Sequence, residues 1–215
     1  MAAEKMTGGG EIMQEIASIA WVSGLWVLWC ALHSLLIAAP VVGRFEARLG
    51  KWFAWYRLGY VALSSITLLP LFFYSLHLPQ QLLFDWTGGW RLVQLLLLGY
   101  ALFMFLAGAR EYDLGYFLGW RQIRAQRHGE ALPPLPFATS GIHRYVRHPW
   151  YSGGIVFVWG GGPVTTVNLA VKGVLTVYLL VGTLLEERKL AAAVGTRYRD
   201  YQRQVPMLIP WRRRQ

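Results

Sequence analysis

The sequence predicts an all-α integral membrane protein with five transmembrane helices, and three observations carry that prediction. Apolar residues make up 55% of the 215 and charged residues only 15%, against about 25% charged in an ordinary soluble domain. Five apolar stretches are long enough to cross a hydrocarbon core of about 30 Å. Of the 21 Lys and Arg residues, 18 fall in three places, 44–57, 110–147 and 188–214. Basic segments alternating with apolar ones are the signature of the positive-inside rule. Setting all three inside predicts the N-terminus outside and the C-terminus inside.

The length suits one domain. A net charge of +10 invites a nucleic-acid partner, but charge confined to the flanks of apolar runs sets topology and favours anionic lipid headgroups instead. No nucleic acid is expected. The single cysteine, Cys30, excludes an intrachain disulfide and argues against a cysteine metal site, so no metal is expected. Lying in an apolar run, Cys30 reads as a buried, inert thiol.

The elements follow in order. The first 17 residues carry Glu4, Lys5, Glu11 and Glu15 without a basic n-region, which predicts a polar N-terminus leading into a retained helix rather than a signal peptide. The first span covers 18–39 and ends at Pro40. A basic, aromatic interfacial stretch follows, then a second span over 57–78 with Pro70 inside it. The link 79–90 is poor in Lys and Arg, and Trp86 and Trp90 suit an outer interface. A third span runs over 91–110. Residues 111–148 are too polar to cross, which predicts an interfacial helix near 112–128 and then an irregular segment with its breakers at 132–136.

The last two spans, 149–166 and 169–186, are joined by Gly160-Gly-Gly-Pro163. So short a connection predicts a tight helical hairpin, with Gly153, Gly154 and Gly160 permitting close approach. A C-terminal helix over 185–203 follows. The chain thus reads as a three-helix substrate-side portion (1–110), an interfacial connector (111–148), and a hairpin with its tail (149–215).

Chemistry concentrates at one end of that hairpin. Pro149 suits the first turn of a helix, which leaves His148 at a helix mouth whose unpaired N–H groups favour an anion. By itself, Arg147-His148-Pro149-Trp150-Tyr151 suits a headgroup contact equally well. The hairpin, however, brings the pair Glu186-Glu187 to the same membrane face. Adjacent helix positions point about 100° apart, so one carboxylate turns inward while the other meets solvent. A basic group beside a carboxylate suits a zwitterion, such as the amino-acid end of a cofactor. Tyr198 and Tyr201 share a helix face and suit either an aromatic ring or ordinary interfacial packing. His33 is an ionisable residue within a span. It is therefore a candidate substrate-site residue, the other reading being a neutral histidine bonded inside the bundle.

These residues form an ordered pattern: Gly141-Ile-His-Arg144-Tyr145-Val-Arg147-His148-Pro149-Trp-Tyr151-Ser-Gly153, then Glu186-Glu187-Arg-Lys-Leu190, then Gly195-Thr-Arg-Tyr198-Arg-Asp-Tyr201 and Val205-Pro206. The pattern resembles the integral-membrane methyltransferases of the isoprenylcysteine carboxyl methyltransferase and phospholipid methyltransferase type. Leu32-His33-Ser34-Leu35-Leu36 and Tyr112-Asp113-Leu…Phe117-Leu-Gly119-Trp-Arg121-Gln122 more loosely resemble NnrU-type and methanethiol S-methyltransferase proteins.

The resemblance implies S-adenosyl-L-methionine as cofactor, with His148, Pro149, Tyr151, Glu186, Tyr198 and Tyr201 at its site. It gives Arg147 and Glu187 to catalysis, positioning substrate or bracing the site. The implied partners are a lipophilic or small-molecule substrate and membrane lipids. Prenylcysteine enzymes carry an Arg shortly before the acidic pair, and 181–185 contain none, which counts against a prenylcysteine carboxylate. Sulfur, oxygen and nitrogen acceptors remain open, as does oligomeric state. Two other readings stand beside this one. A sterol-reductase-like protein using NADPH would need a longer pattern of spans. A non-catalytic scaffold or transport component would leave the polar cluster lining a path.

Overall fold

The computed structural model describes residues 2–132, 137 and 139–211, with side chains from Ile12 onward. The expected breakers at 133–136 lie outside those residues. The architecture is all-α. Four helical stretches, Ile12–Leu36, Ala39–His77, Trp90–Glu111 and Thr166–Val194, are long and apolar enough to cross a membrane. Their outer faces expose large apolar side chains such as Trp21, Leu28, Ile66, Leu96 and Leu184. Water would penalise such faces and lipid would not.

Helix α1 (Ala2–Leu36) is longer than expected, because the polar N-terminal residues are helical too. It stops before Pro40, since Ala38 turns extended (φ −67°, ψ 132°). Pro40 then falls in the first turn of α2 (Ala39–Leu49), where its missing N–H costs nothing. A 3-10 turn (Gly50–Trp55) leads into α3 (Tyr56–His77), which keeps Pro70 inside it. Helix α4 (Trp90–Glu111) follows. Val22 and Trp26 of α1 meet Val167 and Val171 of α8 (Thr166–Val194) in the main apolar cluster.

The single interfacial helix expected near 112–128 is instead two, α5 (Leu114–Leu118) and α6 (Trp120–His128), broken at Gly119. Gly119 adopts φ +98°, and a Cβ there would lie 2.7 Å from the Leu58 backbone nitrogen. Only glycine permits both the left-handed turn and that approach to α3.

The fourth predicted span also differs. Helix α7 (Pro149–Gly160) has 12 residues and stops where Gly160-Gly161-Gly162-Pro163 begins. The chain then bends at Gly161-Gly162 and enters β2 (Val164–Thr165), which pairs antiparallel with β1 (Leu82–Phe84). Four carbonyls around this early stop find side-chain donors. Lys172 Nζ reaches Trp159 O (3.2 Å), Gln94 Nε2 reaches Gly160 O (2.9 Å), Trp86 Nε1 reaches Gly162 O (2.8 Å), and Asn168 Nδ2 reaches Pro163 O (2.8 Å). Irregular backbone inside a membrane protein is tolerated when it is satisfied this way. Lys172, buried in the apolar first half of α8, thereby has a reason to be there.

The hairpin glycines are used differently from the expectation as well. Gly154 faces Leu179 of α8, but Gly153 and Gly160 face α4, where added Cβ atoms would meet Met104 (3.0 Å) and Leu97 (3.3 Å). Gly108 of α4 completes the seam, because a Cβ there would sit 2.5 Å from the Trp150 ring. Small residues let the two helices approach closely. Tight packing on α4 fixes α7 in rotation and so aims the site residues at its N-terminus. After α8, Gly195 starts α9 (Thr196–Gln204).

Candidate active site

The site forms where the N-terminus of α7, the last turns of α8, α9 and the tail meet. The tail runs alongside residues 147–148, whose N–H groups donate to Pro206 O (3.0 Å) and Met207 O (3.1 Å). This backbone pairing explains why the Val205-Pro206 motif accompanies the Arg147-His148 motif.

Glu187 is the hub. It is 7% exposed, and five donors reach it. Oε1 accepts from Arg147 Nε (2.9 Å), His148 Nε2 (2.5 Å) and Tyr198 Oη (2.6 Å), while Oε2 accepts from Arg147 Nη2 (2.7 Å) and Gln202 Nε2 (2.5 Å). Arg147 also donates from Nη1 to the carbonyls of Gln202 and Val205. A buried charge persists only when paired and fully hydrogen-bonded, and here both partners are. Arg147 and Glu187 thus tie α7, α8, α9 and the tail together, with little capacity left for a ligand.

Glu186 points the other way. Its side chain is 37% exposed, lies 3.8 Å from His148 Nδ1, and hydrogen-bonds Tyr151. It lines a cavity of ≈ 1390 Å³ together with Arg57, Tyr60, Tyr112, His143 and Lys189. Ligand sites for one small molecule run to roughly 300–1,000 Å³, so this cavity has room for two. The adjacent carboxylates therefore divide as the 100° helix offset predicts. One is inside and saturated, the other is at the mouth and open.

Of the other sequence-derived candidates, His148 is buried (3% exposed) with its ring held against Glu187 and Tyr151. Tyr198 is buried and Tyr201 half-buried. Their ring centroids are 5.9 Å apart, and each lies 5.5 Å from the Phe137 ring. Burial first, and then the Glu187 carboxylate, raises the Tyr198 hydroxyl above its ordinary pKa, so it stays a donor. Burial likewise raises Tyr201, whose hydroxyl donates to His143 O (2.6 Å). Pro149 is fully buried and starts α7, with its ring turned toward Gly108 of α4. His33 stands apart from this cluster, on α1, bonded to Tyr60 and Ser64.

Three contributors were not singled out in the sequence. Gln202 lies four residues beyond Tyr198 on the same face of α9, a spacing that marks it in hindsight. Tyr112, just past α4, packs its ring on Trp150 (4.6 Å) and edge-on to His143 (5.8 Å). Burial pushes the Tyr112 hydroxyl up to about 12. His143 is the third. It is 8% exposed, lines the cavity, and pairs through Nδ1 with Arg147 O (3.1 Å).

Burial lowers the His143 pKa below 6.5, and the His148 ring adds to this. The Arg147 carbonyl and the Glu111 and Glu186 carboxylates oppose it without cancelling it. The unfolded chain therefore binds more protons than the folded one just below pH 6.5. Stability is full above pH 6.5 and falls as pH drops through the lowered value. Thermal unfolding of detergent-solubilised protein is expected to weaken from pH 7.5 to 5.5. His143→Asn, which keeps a donor for Arg147 O, flattens that slope; an unchanged slope would exclude His143 as its source.

Among the described residues, no group of three or more His, Cys, Asp or Glu side chains is placed to hold a metal ion. An open carboxylate facing cationic and aromatic side chains instead suits an organic zwitterion bearing a ring.

Comparison with known proteins agrees with that chemistry. No family model matches the chain, and no solved structure does. Methanethiol S-methyltransferase 2 of Bradyrhizobium diazoefficiens is 33% identical over 192 residues, 86% of this chain and 71% of that one. Methanethiol S-methyltransferase 1 of the same organism is 34% identical over 156 residues, 72% of this chain and 54% of the relative. The Mycobacterium tuberculosis methanethiol S-methyltransferase is 33% identical over 159 residues, 71% and 62% respectively. The chain spans little more than half the length of methanethiol S-methyltransferase 1. With one-third identity across most of its length, the chain belongs to the methanethiol S-methyltransferase family.

Proposed function

We propose that this protein transfers the methyl group of S-adenosyl-L-methionine to the sulfur of a small thiol, with methanethiol, named for its relatives, as the first candidate. The observation that carries the reading is the division of Glu186 from Glu187. One buried carboxylate holds the site together, and its neighbour stands open at a two-ligand cavity.

In this reading Glu186 takes the cofactor's ammonium group. Tyr151 and His148 orient Glu186, and Tyr198, Tyr201 and Phe137 form an aromatic wall. Pro149 starts the helix that aims His148 and Tyr151, and Arg147 and Glu187 brace the whole. The cofactor brings an already activated methyl group as a sulfonium. The protein's part is to place the acceptor sulfur in line and keep water out. The absence of an Arg from 181–185 fits an acceptor without a carboxylate.

The reading includes five membrane crossings, made by α1, α3, α4, α7 and α8. The 12 residues of α7 rise about 18 Å. The bent segment 161–163 and the two strand residues Val164–Thr165 carry the chain over the remainder of a core of about 30 Å. The basic segments then share the cytoplasmic face with the site, leaving the N-terminus outside.

Purified protein incubated with methyl-labelled cofactor and a panel of methanethiol, prenylcysteines and phospholipid amines tests the proposal. Labelled dimethyl sulfide in the headspace is the expected product, read by mass spectrometry. Label on amines or carboxylates alone would overturn the thiol assignment, and label on nothing would overturn the activity.

A further inference from the structure

The thiol reading leaves one chemical requirement unmet by the residues around Glu186. A small alkanethiol is mostly protonated at neutral pH, and the thiolate is the nucleophile. Glu187 and Arg147 are bound to each other, and Glu186 faces the mouth.

Deeper in the bundle lies a polar chain that this site has not used. Tyr178, Gly182 and Glu186 of α8 are spaced i, i+4, i+8 and so form one stripe. At the mouth is Glu186. At Gly182 an added Cβ would lie 3.2 Å from the Tyr151 ring, so Tyr151 sits in the notch the glycine leaves. Tyr178 is half-buried, hydrogen-bonded to Ser34, and edge-on to the His33 ring at 6.2 Å. His33 in turn holds the Tyr60 hydroxyl, nearest to Nε2 (2.7 Å) and 3.1 Å from Nδ1, while Nδ1 also meets Ser64 Oγ (3.1 Å), and its ring is stacked on Trp29 (5.0 Å). Tyr60, unlike His33, lines the cavity. Eight residues of α8 put this group about 12 Å deeper than Glu186.

We propose that Tyr60 and His33 form the proton relay that activates the thiol, a deepening that rests on the thiol S-methylation reading above. With Nδ1–H donating to Ser64 Oγ, His33 presents the Nε2 lone pair to the Tyr60 hydroxyl. The thiol S–H bond breaks and its proton passes to Tyr60 Oη as Tyr60 gives its own to His33 Nε2. The electron pair left on sulfur forms the new sulfur–carbon bond while the cofactor's carbon–sulfonium bond breaks. The imidazolium then returns its proton to Tyr60 Oη, which releases its own to solvent in the cavity. Tyr60 is the group that touches substrate, and His33 acts through it. The Arg57 guanidinium, 5.6 Å from the Tyr60 ring centroid, favours the negative charge as it develops.

The test compares wild type with Tyr60→Phe and His33→Gln on two acceptors, methanethiol and an aromatic thiol largely ionised at neutral pH. Loss of general-base assistance costs about 100-fold or more. The kcat for methanethiol is expected to fall by at least that much in both variants with KM little changed. The loss with the aromatic thiol is expected to be at least tenfold smaller. A second readout needs no turnover. With S-adenosylhomocysteine bound, methanethiol added to wild type at neutral pH produces the ultraviolet absorption of a thiolate, and both variants lose it.

Equal losses on both thiols, or a thiolate band that survives in the variants, would overturn the relay. So would loss of S-adenosylhomocysteine binding in both variants, which would make the pair a structural prop. Failure of wild type itself to methylate any thiol is a separate result, and it removes the parent reading instead.

Discussion

Glu187→Ala lowers folding stability by about 3–5 kcal/mol, the range for removing one partner of a buried ion pair. The size follows from what remains behind. Arg147 keeps its charge in a protein interior where Glu187 was its carboxylate, and His148, Tyr198 and Gln202 each lose an acceptor. Buried donors left unmatched cost about 1–3 kcal/mol each before relaxation, so the pair sets the lower bound. Removing both charges with Arg147→Met and Glu187→Leu together is expected to cost less than the sum of the single changes, because no charge is left unpaired. Thermal and denaturant unfolding of Glu187→Ala, the two single changes and the double variant in one detergent measures this. Additive losses would mean that the ion pair is not the unit that holds these elements.

Glu186→Gln, one residue away, produces the opposite profile. The side chain is 37% exposed and its contacts are His148 and Tyr151 at the cavity mouth, so stability changes by no more than about 0.5 kcal/mol. Cofactor affinity falls by about 2 kcal/mol, or about 30-fold, the lower end for deleting one charge of a recognition pair because the site is partly wet. Calorimetric titration with S-adenosylhomocysteine reads the effect directly. Full affinity in a folded Glu186→Gln variant would remove the ammonium contact from the proposed site. The two adjacent carboxylates thus yield separable losses, one of fold and one of ligand.

The comparison between sequence and structure turns on which properties are local. Helix-forming apolar runs, a breaker such as Pro40, and a proline suited to the first turn of α7 act through their own neighbourhood, and their places follow from the chain alone. The meeting of Arg147-His148 with Glu186-Glu187 also follows, since a short link between two long apolar runs permits few arrangements. The end of α7 at Gly160 was legible as a breaker run, yet its depth was not. Lys172, Gln94, Trp86 and Asn168, which cap the freed carbonyls, come from three other segments, and nothing near them in the chain announces that use.

By itself, then, the sequence determined an all-α membrane architecture, the composition of the polar cluster, and the fact that adjacent carboxylates must face different ways. The tertiary structure alone decided which carboxylate is buried. That depends on the rotation of α8 against α7, and α7 is set in turn by its Gly153 and Gly160 packing on α4, where Gly108 receives Trp150. Only the tertiary structure joined His33 to Tyr60 and placed Tyr60 on the cavity wall. The physical reason is the same in both cases. Helix periodicity fixes angles within one helix, while the angle between helices comes from side chains distant in sequence that interlock at close range.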